Sequence, residues 1–372
     1  MFKYMKLFCS QRDLDGALNI VNKAISPNNT LPVLNNILLK AEGKKLYFSA
    51  TNLEIAISCS ITADVRSEGS ITVPAKLITS YVSFLSDEKV ELSVVDGLNL
   101  AVNSTSSFTK IKCISSDEFP LIPKIEKEQE FSLKNSKLHE AITETVFAAS
   151  LNTSRPVLSG VYLYSKGAEV KFVATDSYRL AEKTIEVDKK SSENISCIVP
   201  ARTMMELSKI ISKSGDEEVK INVSKNQILF SIGDTELISR LIEGKFPDYE
   251  KIIPKENKTK LEISVEDLSL VLKRVSLFAR ENNNSIKLSA TNDGKLTISS
   301  EETKVGEEKA EVVVKIEGEN NKISLNAQYL LDVLTYIGED KIIFSVNDKV
   351  SPAVIKPAKG SDYVYIIMPL KV

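Results

Sequence analysis

Asp176, Tyr178 and Arg179 fall within four positions of one another in the stretch VATDSYRLAE, residues 173–182. A carboxylate, a phenol and a guanidinium so close together are the makings of a small acid–base or anion-binding site. General acid–base catalysis needs a group that titrates near the working pH. The chain's single histidine, His139, lies far off in SKLHEAITETVF, which reads as an exposed helix face. Were residues 173–182 all strand, Asp176 and Tyr178 would share one face and Arg179 would point to the other. The sequence contains no GxSxG, no Walker A loop, no HExxH and no clustered carboxylates for two-metal chemistry. Asp176 is therefore expected to bond backbone or Arg179 locally, and the stretch to bind rather than catalyse.

The elements that must hold this stretch recur along the chain. ITVPAKLITSYVSFLSDEKVELSV, CIVPARTMMELSKIISKSGDEEVKINV and ISLNAQYLLDVLTYIGEDKIIFSV align at Val73, Val199 and Leu325, each 126 residues after the last. Each reads strand, helix, turn, strand, with helical apolar spacing at Leu77, Tyr81, Phe84 and Leu85, at Leu207, Ile210 and Ile211, and at Leu330, Leu331, Leu334 and Ile337. Pro74 suits the first helix start. A hairpin ending in Ala-Thr-Asn/Asp precedes the first two, with Ala50 and Ala174 as equivalents. Ile55, Ile57, Cys59 and Ile61 then alternate as a half-buried strand should. Earlier helical segments lie around Leu14–Ile25, Leu138–Ala149 and Leu268–Ala279. In the third copy a literal SATN at 289–292 is out of register, and Leu296–Glu302 is the better counterpart of Leu46–Asn52.

The chain is thus expected to be α+β and mainly antiparallel, three similar domains of two helices and about eight strands each. The boundaries put residues 1–125, 126–254 and 255–372 in successive domains, at stretches that combine proline with charge runs. A net charge of −2 argues against tight, charge-driven nucleic-acid binding over the whole surface, though not against a local basic patch. Scattered Cys9, Cys59, Cys113 and Cys197 have no metal-ligand spacing and read as reduced thiols. With no apolar run near 18 residues and no apolar segment in MFKYMKLFCSQRDL, a cytoplasmic location is expected, with no cofactor and no metal.

The tripled plan, VATDSYRLA, RLIEGKFPDYEKIIP and the closing MPLKV together resemble the bacterial DNA polymerase III β subunits, the replication sliding clamps. The resemblance spans essentially the full length. It implies a DNA-clamp fold, three domains forming half of a six-domain ring that a head-to-tail homodimer closes around double-stranded DNA. It also implies a non-catalytic processivity factor whose cleft takes short peptides from the replicative polymerase, the clamp loader and repair proteins. Matching positions place Leu158, Thr175, Ser177, Tyr178, Arg179, Leu180, Pro247, Lys251 and Ile252 in that cleft. Val350, Pro352, Ile366, Ile367, Met368, Pro369, Leu370, Lys371 and Val372 join them. Arg179 and Lys371 would fix a peptide's backbone or acidic flank. Lys76, Arg155 and Arg202 match basic positions near DNA, and Lys209 follows Arg202 by two helical turns.

Ile111 on one side and Leu277 with Phe278 on the other match the subunit interface. Adjacent on a helix, the last two cannot both enter one core, so an exposed, partner-covered Phe278 is expected. Asn28 and Pro156-Val157 depart from the pattern, and Met1–Tyr4 precede the usual start. Two rival readings remain: an enzyme centred on Asp176, Tyr178 and Arg179, and a peptide-binding scaffold that never encircles DNA.

Overall fold

The computed structural model describes residues 5–27, 29, 31–123, 125, 129–152, 154–187, 195–212, 218–360 and 362–370. Met1–Tyr4, Asn28, Lys371 and Val372 lie outside them. The first third runs β1 (Lys6–Ser10), α1 (Gln11–Val21), β2 (Asn36–Glu42), β3 (Lys45–Thr51), β4 (Ile55–Thr62) and β5 (Asp64–Ser67). It continues through β6 (Gly69–Pro74), α2 (Ala75–Ser83), β7 (Lys89–Val95), β8 (Asn99–Asn103) and β9 (Phe108–Lys112). The middle third holds β10 (Gln129–Lys134), α3 (Asn135–Thr145), β11 (Gly160–Lys166), β12 (Glu169–Thr175) and β13 (Arg179–Glu186). After them come β14 (Ser196–Pro200), α4 (Ala201–Ile211), β15 (Glu218–Val223), β16 (Gln227–Ile232) and β17 (Thr235–Arg240). The last third has β18 (Thr259–Ser264), α5 (Val265–Ala279), β19 (Ser285–Thr291), β20 (Lys295–Ser300), β21 (Lys309–Val313) and β22 (Lys315–Gly318). It ends with β23 (Asn321–Asn326), α6 (Ala327–Tyr336), β24 (Lys341–Val346), β25 (Ala353–Pro357) and β26 (Tyr363–Ile367).

Helix starts follow from polar caps. The Ser10 and Ser264 hydroxyls accept the Asp13 and Asp267 amides, and Asn326 accepts those of Gln328 and Tyr329, caps worth about 1 kcal/mol each. Each helix then buries one stripe: Leu14, Ala17, Leu18 and Val21 on α1; Leu268, Val271, Leu272 and Val275 on α5; Leu330, Val333 and Leu334 on α6. A leucine fully withdrawn from water in this way contributes roughly 1.5–3 kcal/mol. Burial raises the thiols of Cys9, Cys59 and Cys197 to about 12 and that of Cys113 to about 11, so all four stay protonated near neutrality. No metal-holding cluster occurs among the described residues, and no helix among them is long and apolar enough to cross a membrane.

Contacts gather the chain into two compact units, Met1–Ser136 with Glu206–Leu241, and Lys137–Met205 with Ile242–Val372. The first holds a sheet of order β5-β1-β7-β8-β9 and another of order β10-β15-β16-β17-β4-β3-β2-β6. The second holds β14-β11-β12-β13-β26-β25-β24-β18-β22 and β21-β20-β19-β23. Every strand pairing within these sheets is antiparallel, as expected.

One pattern runs through the strand orders. The four-strand order β6-β2-β3-β4 returns as β14-β11-β12-β13 and as β23-β19-β20-β21. The fourth strand of the first set pairs with β17, and that of the second with β26. Sheets therefore run through the junctions between repeats, and contacts follow the shared sheets rather than the repeats. The register expected for the third copy holds: β20 takes the place of β3, and the literal SATN sits at the end of β19.

Candidate functional site

The stretch 173–182 is not one strand. Thr175 ends β12, Arg179 opens β13, and Asp176–Tyr178 form the tight turn between them. This corrects the face assignment made for a continuous strand. Ser177 takes a left-handed φ of 81°, a conformation that costs a non-glycine residue energy and is held by its surroundings. The hold is a local polar net. The Thr175 hydroxyl donates to the Arg179 carbonyl at 2.6 Å and accepts the Ser177 amide at 3.1 Å. The Asp176 carboxylate accepts the amides of Tyr178 and Arg179 at 2.9 and 3.0 Å, the backbone role expected of it.

Arg179 makes three side-chain hydrogen bonds within the protein. Its Nε donates to Asp176 at 3.0 Å, Nη1 to Asp332, and Nη2 to the Phe147 carbonyl at 2.8 Å. The guanidinium also lies 4.6 Å from the centre of the Tyr329 ring. Burial opposes its charge, but Tyr365, Asp332 and Asp176 outweigh that and raise its pKa. The guanidinium thus braces the turn from within.

Four positions on, Lys183 is buried among three carboxylates. Its Nζ lies 2.6 Å from Glu140, 2.8 Å from Glu144 and 3.0 Å from Asp362. Burial raises the Glu144 pKa to about 7, with Lys183 pulling it back and Glu140 and Asp362 pushing it up. Burial also works against the Lys183 charge, and the three carboxylates more than restore it. This cluster and the turn brace the same pairing of β13 with β26.

Beside the turn opens a cavity of about 120 Å³. It gathers Leu158, Thr175, Ser177, Arg179, Leu180, Pro247, Ile252, Ile366 and Met368 from the expected set, with Asp248 and Tyr249 unforeseen. Its floor is the buried cluster of Val173, Leu180, Ile198, Phe246, Tyr249 and Ile366. A wider cavity of about 550 Å³ shares Leu158, Ser177 and Arg179 and adds Tyr178, Arg155 and Tyr329. Together they offer apolar pockets, a 62% exposed tyrosine and a few polar atoms, a surface that suits a short chain segment and lacks any acid–base pair.

Other expected members lie elsewhere. Ile366 and Ile367 are both wholly buried, and strand alternation turns Ile367 to the side away from the cavity that Ile366 lines. Lys251 is exposed and pairs with Asp248 at 2.6 Å. Val350, Pro352, Pro369 and Leu370 line neither cavity. Arg155 stands at the cavity mouth, donating to Ser177 Oγ at 3.3 Å, and not on a helix. Lys76 is exposed on α2, and Arg202 is half-buried in the first turn of α4. Lys209 is exposed but bonded to Glu206 at 3.0 Å. His139 is half-buried, not an open helix face.

At the proposed interface, Leu277 is the exposed member of its pair at 55%, while Phe278 is half-buried against Gly306. The helix phase reverses the expectation for Phe278. Ile111 is buried in its own sheet, and Phe108 on the same edge strand is 62% exposed.

Family models match three consecutive stretches: the DNA polymerase III beta subunit N-terminal domain over 5–123, its central domain over 132–248 and its C-terminal domain over 250–371. A beta sliding clamp of Synechocystis is 31% identical, covering 99% of both chains. One from Staphylococcus epidermidis is 33% identical over 95% of this chain and 96% of its own. Among solved structures, the Bacillus subtilis DNA polymerase sliding clamp matches with TM-score 0.94 at 29% identity, over 99% of this chain and 100% of that one. The Pseudomonas aeruginosa clamp bound to griselimycin matches with the same score, identity and coverage. The chain belongs to the DNA polymerase III beta subunit family, the bacterial beta sliding clamps.

Proposed function

We propose that this chain is a DNA sliding clamp that closes as a head-to-tail homodimer around duplex DNA and tethers the replicative polymerase, clamp loader and repair proteins through the cavity beside Ser177. It is a binding protein, not an enzyme, and acts in the cytoplasm. Its three repeats, residues 1–125, 126–254 and 255–372, supply half of a six-domain ring, with helices facing the DNA. Lys76, Arg155, Arg202 and Lys209 meet phosphates without reading sequence. Near-neutral net charge suits a sleeve that slides, since each fixed phosphate contact adds salt-dependent drag.

The carrying observation is the pair of filled junctions and the one left open. Ile55 opposes Ser239 at one junction and Arg179 opposes Ile367 at the other. A matching turn closes before each strand: Asn52 N–H to the Ile55 carbonyl at 3.2 Å, Asp176 to Arg179 at 3.4 Å, and Thr303 to Gly306 at 3.0 Å. Gly306 is thus the third counterpart, beside β21, with a φ of 113° that favours glycine and the Phe278 ring against it. Among the described residues, β9 and β21 are the edges that this repetition leaves unpaired. Extending the register to a second copy sets Ile111 opposite Gly306 and Lys110 opposite Glu307. A heterologous contact made twice closes a ring.

Sedimentation is predicted to give the mass of two chains. Leu277→Asp is predicted to weaken association about a hundredfold or more and yield single chains, because a desolvated carboxylate has no partner there. A single-chain mass for the unaltered protein would favour the open scaffold.

A further inference from the structure

The first unit repeats the turn that walls the Ser177 cavity, bond for bond. The Thr51 hydroxyl donates to the Ile55 carbonyl at 2.9 Å and accepts the Leu53 amide at 3.0 Å. The Asn52 side chain accepts the amides of Glu54 and Ile55 at 3.0 and 2.8 Å, as Asp176 does for Tyr178 and Arg179. The Arg240 amide reaches the Glu54 carbonyl at 2.9 Å, as that of Met368 reaches Tyr178 at 2.8 Å. Leu53 even shares the left-handed φ, 74° against 81° for Ser177. Beneath lies a cluster of Val33, Leu34 and Phe119, with Ile122 packed on it, at the places of Val157, Leu158, Phe246 and Tyr249 in the second unit.

A cavity of about 290 Å³ opens on this wall, lined by Thr51, Leu53, Pro120, Leu121, Ile238 and Arg240 among others. Two features differ from the first cavity. Leu53 and Leu121 are 51% and 97% exposed, so two leucines stand free on a rim that also carries Glu54, Asn226 and Gln227. Arg240 is exposed and makes no ion pair among the described residues, whereas Arg179 pairs with Asp176 and Asp332.

We propose that this cavity is a second docking site, for a short extended peptide with apolar residues at alternate positions and a carboxylate for Arg240. Alternate side chains of an extended chain point the same way, so two leucines two apart reach the Leu53–Leu121 rim together. The exposed cation then selects an acidic neighbour. The inference rests on reading the first cavity as a peptide site, and the test separates the two.

The probe is the peptide Glu-Leu-Val-Leu-Asp, titrated calorimetrically into the full-length protein with stoichiometry as the readout. Two sites per chain are expected. Met368→Asp should remove the first, and Leu53→Lys with Arg240→Glu, both at exposed side chains, should remove the second. Replacing the peptide's acids by lysine should weaken the second site about tenfold or more. One site, abolished by Met368→Asp, overturns the second site and leaves the first reading intact, as does a wild-type count in the double variant. Loss of a site in the double variant alone, with none lost in Met368→Asp, upholds the second site and removes the first. No binding at all overturns both.

Discussion

Lys183→Met should cost about 3–5 kcal/mol of stability, since it leaves buried Glu144 and its two acidic neighbours without their cation. Methionine nearly conserves the stem's volume, so lost packing is a minor part of the effect. The loss should depend on pH with a definite sign. Folded Glu144 holds its proton up to about 7, against an ordinary value of 4.5. Between those values the native state binds more protons than the unfolded one, so this group's contribution to stability falls as pH rises. In Lys183→Met the Glu144 pKa should climb further, making the deficit widest above pH 7 and narrower towards pH 5. Denaturant midpoints across that range check it. Glu144→Gln in the same chain should recover part of the loss at high pH, and an equal deficit at every pH would contradict the account.

Arg179→Met should loosen the Ser177 turn and weaken peptide binding by about 10- to 100-fold, although the guanidinium is spent on internal partners. The replaced contacts leave Asp176 and Asp332 without their shared cation, at a cost of about 2–4 kcal/mol locally. A positioning role predicts faster hydrogen exchange at the Ser177 and Tyr178 amides in the free variant. Weakened binding with unchanged exchange would instead mean that Arg179 touches the peptide directly.

The repeat was legible because three copies of one pattern constrain each other: a strand ambiguous alone, such as β20, is fixed by its two counterparts. The turn's chemistry was legible as far as Asp176, whose partners lie within three residues. Asp332 was not, since it meets Arg179 from 153 positions away and no local pattern marks it. Side-chain direction was the other gap. Only strand pleat decides that Ile366 and not Ile367 lines the cavity, and only helix phase that Leu277 is more exposed than Phe278. Arg155 reads as a DNA-facing cation, and its place beside Ser177 is something only the fold shows. The two-unit grouping was also invisible, because it arises from strand pairings between repeats and not from composition.

Topological retention on DNA tests the clamp most directly. The protein is loaded on a nicked circle, with the loader if needed, and the circle is then cut once in moderate salt. The account predicts dimers that persist on the closed circle and are lost from the linear form within the time of sliding to an end. Equal loss from both forms, or equal retention on both, would contradict it.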